Sequence, residues 1–132
     1  MIASAKSLYK AKISLQIKRL IMKDTIISEK DAVKEMKRIN VDPYGIKIMK
    51  DKAVFRNLLL TNIRSPMANI LKEQMLSEGG DAAVHSLVIS CKVEYSDVLL
   101  MGTLAQYKKV IEKMKLQPME GREIAKRIEK LL

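Results

Sequence analysis

The chain has 132 residues and a formal net charge of +10, with 48% hydrophobic and 30% charged residues, enough for one domain with a core and too few for two. That balance excludes a disordered polyelectrolyte, and lysines interrupt every apolar run before it reaches membrane-spanning length. One cysteine excludes an internal disulfide and one histidine excludes a histidine metal cluster, so the composition fits a reducing cytoplasm and calls for no metal or cofactor.

Residues 1–18 form an ambiguous leader. Ala11, Ile13, Leu15 and Ile17 alternate with Lys10, Lys12, Ser14, Gln16 and Lys18, the pattern of a strand. Tyr9, Ile13, Ile17, Leu20 and Ile21 also recur at helical spacing, and both templates match. No lysine-free apolar segment follows the first residues, so no secretory signal is expected.

A single α+β domain is expected over residues 19–132, opening with a short strand over Arg19–Ile27. Ser28 and Asp31 have capping-box spacing, and Ala32, Val33, Met36 and Ile39 form the inner face of the helix that follows. Turn formers from Asn40 to Gly45 end it. Val54–Thr61 reads as the next strand. Ser65 caps a helix with Pro66 in its first turn and Met67, Ile70, Leu71 and Met75 on one face, and Gly79 terminates it.

Ala82–Val84 suits a short strand, and Leu87, Ile89, Cys91 and Val93 alternate with polar neighbours as another would. On that reading Cys91 is an inert buried thiol. Val98–Met101 is a continuous apolar run, as in a strand covered on both faces. Thr103 stands three residues before Gln106, a second capping box, and Leu104, Tyr107, Val110, Ile111 and Met114 make a helical stripe that Gln117-Pro118 stops. Glu120–Leu132 is a last helix with Ile124, Ile128 and Leu131 inward. The expected order is β-α-β-α-β-β-α-α, a small mixed sheet with helices packed mainly on one face. Aromatics are 4% and methionines number nine, so aliphatic and thioether side chains must fill the core.

Catalytic constellations fail one by one. His85 and Cys91 are six apart, about 20 Å along an unbroken strand and outside hydrogen-bond reach. No Walker loop or dinucleotide fingerprint is present. Met101-Gly102-Thr103 is where a strand meets a helix start, a place that can hold a phosphate or carboxylate through free N–H groups. Gly102, Thr103, Lys108 and Lys109 are therefore the candidate anion-binding residues, against the plainer reading of a capped turn. The charge supports a second reading, a basic nucleic-acid-binding module without sequence specificity. Lys10, Lys12, Lys18, Arg19 and Lys23 would be its phosphate contacts.

Several stretches resemble the N-terminal accessory region of dihydropteroate synthases. They are Val41–Met49, Lys52–Arg56, Ala68–Ser77, Gly79–Val84, Ser96–Thr103 with Gln106-Tyr107, and Leu116–Pro118. The similarity runs in one order over residues 19–130, and the leader departs from it. The resemblance implies a non-catalytic accessory or regulatory domain linked to folate and pterin biosynthesis. In that family the pterin and p-aminobenzoate bind a downstream (β/α)₈ barrel of about 250 residues. Its pterin motifs have no counterpart here, so no catalytic residue carries over. The implied partner is such a barrel, in cis or in trans, expected to begin where this chain ends.

Overall fold

The structure is a computed structural model that describes residues 4–21 and 23–132, with the backbone alone at Leu15, Lys18, Arg19 and Ile21. Helix α1 spans Ala5–Ile21, so the helical template prevails over the strand in the leader. Its Leu8, Tyr9, Ile13 and Ile17 are exposed, and among the described residues no strand packs extensively against it to reward an extended conformation. The strand expected over Arg19–Ile27 is absent: α1 continues to Ile21, and residues 23–28 have no regular structure.

A 3₁₀ turn at Glu29–Asp31 leads into α2 (Ala32–Arg38). The Ser28 side chain makes no capping bond; its carbonyl accepts the Asp31 N–H at 3.0 Å instead. The turn formers at Asn40–Gly45 also start a helix. In α3 (Pro43–Met49) the Asp42 carboxylate accepts the N–H groups of Tyr44 and Gly45, and Pro43 fills the first turn. A further 3₁₀ turn, Lys50–Ala53, delivers the chain to β1 (Phe55–Arg64).

Helix α4 (Ser65–Ser77) follows directly. Ser65 lies inside it rather than capping it, with its N–H on the Glu94 carbonyl at 2.9 Å and its hydroxyl on the Val93 carbonyl. Gly79 adopts φ +86° and turns the chain into β2 (Asp81–Ala83). Strand β3 (Tyr95–Thr103), α5 (Leu104–Lys115) and α6 (Gly121–Leu131) complete the chain.

The fold is α+β, with six α-helices and a three-stranded sheet among the described residues, in the order β1-β3-β2. The sheet is antiparallel rather than mixed. β1 and β2, joined through α4, run the same way but never touch, because β3 lies between them and opposes both. Phe55 faces Thr103, Leu59 faces Leu99 and Ala83 faces Leu99 in the register.

Side chains alternate across this sheet. Leu58, Leu60, Ala82, Val98 and Leu100 face the core with Met67, Leu71, Met75, Tyr107, Val110, Met114, Ile124 and Ile128 from α4, α5 and α6. Phe55, Leu59 and Leu99 point to the opposite, open face, so the three helices cover one side only. Leu131, expected inward on α6, is exposed.

The strand expected over Leu87–Val93 is instead a pair of turns. The N–H groups of Val88 and Cys91 return to the carbonyls of His85 and Val88 at 3.0 Å, and Cys91 takes φ +54°. This inverts the expected faces: Val88 is buried, whereas Leu87, Ile89 and Cys91 are exposed.

Candidate functional site

Three elements meet around the start of α5. The 3₁₀ turn contributes Lys52, the end of α4 contributes Glu78, and α5 contributes Ala105, Gln106 and Lys109, with Thr103 at the junction. Together they line a cleft of about 290 Å³. The capping box is complete. Thr103 Oγ1 accepts the Gln106 N–H at 3.2 Å, and Gln106 Oε1 accepts the Thr103 N–H at 2.8 Å. The Leu104 N–H is also taken, by the Val54 carbonyl at 2.8 Å. The Ala105 N–H has no hydrogen-bond partner among the described residues, and Ala105 lines the cleft.

Of the four residues proposed from the sequence, Thr103 and Lys109 line this cleft. Gly102 lies buried beneath it, where a Cβ would meet Gln106 Oε1 and Met75 Cε, both at 3.1 Å. Lys108 points elsewhere, into an ion pair with Asp51 at 2.6 Å. Sequence reasoning missed Lys52, which comes from a turn some fifty positions upstream and carries no local signal. Lys52 and Lys109 have no carboxylate within ion-pairing distance among the described residues, so two cations and a helix start converge here. The one acid, Glu78, is held by Lys113 at 2.6 Å; that bond sets its carboxyl below the usual carboxylate range.

Among the described side chains, Lys10 and Lys12 of the leader do not share a face. Lys10 lines a shallow apolar groove along α1 with Lys6, Tyr9, Ile13 and Ile17, whereas Lys12, two residues on, lies on the opposite side of the helix. Lys23 is exposed in the following segment, and the side chains of Lys18 and Arg19 lie outside the described residues.

A second concavity sits at the other end of the sheet, beside the irregularity between Leu60 and Ile63. Asn62 adopts φ +53° there, with its N–H on Asp97 Oδ1 at 3.1 Å. Asn62, Arg64, Tyr95, Glu120, Glu123 and Arg127 line about 200 Å³. Arg64 is paired with Glu120 at 3.2 Å, and Arg127 donates to the Thr61 carbonyl at 2.8 Å. Two cations and two acids balance, so this cleft has no preference for an anion. His85 is exposed nearby, its Nδ1 accepting the Leu87 N–H at 3.0 Å. Among the described residues no three His, Cys, Asp or Glu side chains cluster as metal ligands, and no helix is long and apolar enough to cross a membrane.

Comparison with known proteins adds a relationship. A stretch of 88 residues, 67% of this chain, is 35% identical to a Halobacterium salinarum protein described as a probable bifunctional folylpolyglutamate synthase/dihydropteroate synthase. The match spans 11% of that protein, which makes this chain a distant relative of a small part of it. No protein-family model matches the chain, and no solved structure does.

Proposed function

We propose that the chain is a non-catalytic accessory or regulatory domain associated with folate-type pterin synthesis, acting with a dihydropteroate synthase barrel in cis or in trans. The observation that carries this reading is the 35% identity over 88 residues to the bifunctional folate-pathway protein. His85 and Cys91 are both exposed in a turn region, and the cleft at Thr103 gathers cationic binding groups. In this reading Thr103, Lys109 and Lys52 form the place where an anionic metabolite docks, with Gly102 shaping its floor and Lys108 held aside by Asp51. The nucleic-acid alternative has net charge behind it, and among the described side chains no convergent set of its candidate contacts.

The test mixes the purified chain with a dihydropteroate synthase barrel and follows dihydropteroate formation and co-elution. The chain alone is expected to form none, and to co-elute with the barrel and change its kcat/KM. Product from the chain alone, or a barrel indifferent to its presence, overturns the reading. Ligand docking is read separately, by thermal shift with inorganic pyrophosphate and with p-aminobenzoate. A shift in the wild type that disappears in Lys109→Ala is expected.

A further inference from the structure

We propose that β1 pairs edge to edge with β1 of a second copy of this chain, making a two-fold dimer with a continuous six-stranded sheet. The argument starts from where the backbone of β1 points. The Val54 carbonyl accepts the Leu104 N–H, so even-numbered residues at this end turn towards β3. Phe55 turns the other way: its N–H reaches Glu29 Oε2 at 3.2 Å and its carbonyl accepts from Arg56 Nη1 at 3.0 Å. Six residues on, the outward carbonyl of Thr61 accepts from Arg127 Nη2 at 2.8 Å. Between these two capped positions, alternation turns Asn57 and Leu59 outward, with an N–H and a carbonyl each that no described residue bonds.

A strand of ten residues with an uncharged stretch from Asn57 to Ile63 is an open template for another strand. The usual protections are missing from the middle of this edge. It has no proline, no lysine and no bulge before Leu60, and Leu59 is 59% exposed on the adjoining open face.

A second copy fits this edge by its own pattern. In antiparallel self-pairing centred on Leu58, Asn57 faces Leu59 of the other copy, and the reverse pair follows from the two-fold axis. All four free backbone groups on each strand then find partners. The same register sets Phe55 opposite Thr61 of the other copy. That brings Glu29, the cap on the Phe55 N–H, towards Arg127 of the other copy, the cap on the Thr61 carbonyl. Arg56 is already paired with Glu29 there, so each end gathers one carboxylate and two guanidiniums, and the pairing rests on the four backbone bonds between Asn57 and Leu59 of the two copies. The net charge of +10 on each copy opposes association, so the pairing is read at physiological ionic strength, where the screening length is about 8 Å.

Light scattering or sedimentation over a concentration series tests the proposal. The wild type is expected to approach twice the 15.0 kDa of one chain, and Asn57→Pro to remain at 15.0 kDa with an unchanged far-ultraviolet circular dichroism spectrum. Proline at an outward edge position removes an N–H that the single copy does not use. A wild type that stays at 15.0 kDa up to about 1 mM, or a variant that dimerises equally, overturns the proposal. Should the proline variant not fold, amide exchange in the wild type decides. Asn57 and Leu59 amides are expected to be protected in concentrated and to exchange fast in dilute solution; fast exchange at both concentrations overturns the pairing.

Discussion

Tyr107 is fully buried in the core and donates its hydroxyl to the Arg56 carbonyl at 2.7 Å, tying α5 to β1. Burial pushes the phenol up to about 12 because the low-dielectric interior disfavours the phenolate. The folded state thus holds this proton more tightly than the unfolded chain does. The stabilisation is complete below about pH 10 and is lost as pH rises towards 12, on the order of 2 kcal/mol. Tyr107→Phe is expected to cost about 1 kcal/mol at neutral pH and to lose less stability between pH 8 and pH 11.5 than the wild type in urea titrations. An equal alkaline loss in both proteins would remove the phenol as its cause. The acid side has the opposite sign. Glu29 is held below the usual carboxylate range by its bond to Arg56, and Asp81 by the Ala82 N–H and then Lys72. Their contributions are present above the ordinary carboxylate pKa and fade as pH falls below about 4. Thr103→Ala is expected to cost about 1 kcal/mol through the lost cap, with or without a ligand.

At the scale of elements, β3 carries the fold because it pairs with both neighbours. Its alternation gives a paired test of the buried face. Leu100→Ala should cost about 2–5 kcal/mol, since it opens a cavity against α4 and α5. Leu99→Ala, one residue away on the open face, should cost less than half of that by the same denaturation assay. Equal costs would mean that something covers both faces of the sheet. Helix α1 is the opposite case. Every described side chain on it is exposed, and it contributes nothing to the core. Deleting residues 1–22 is therefore expected to move the melting temperature by less than about 2 °C. A larger drop would show that α1 packs on the folded protein in solution.

For the molecule as a whole, one core holds together everything from Leu58 to Ile128, and no described residue before Leu58 is buried. The first helices are nevertheless anchored at points such as the Glu29–Arg56 ion pair and the Lys108–Asp51 ion pair. A chain of this size with a single core should unfold in one cooperative step. Near- and far-ultraviolet signals are expected to give the same midpoint in urea. Separate midpoints would identify residues 23–53 as an independently melting layer.

The elements with their own chemistry were legible in the residues. Pro66 with the apolar stripe of α4, Gly79 as its left-handed end, and the Thr103–Gln106 capping box of α5 are local devices satisfied by neighbours in sequence. So was the α+β class, which follows from periodicity. What the sequence alone misassigned was decided by distant partners. Leu87–Val93 has a strand's alternation, yet an extended conformation needs a ladder, and β3 already has β1 and β2 on its two edges. The His85–Val88 and Val88–Cys91 backbone bonds satisfy that segment locally instead. The leader matched two periods equally, and a helix makes its own hydrogen bonds where a strand requires a neighbour. The antiparallel sheet and the convergence of Lys52 on Thr103 belong to tertiary structure for the same reason: each depends on which segments the core brings together, and no run of residues records that.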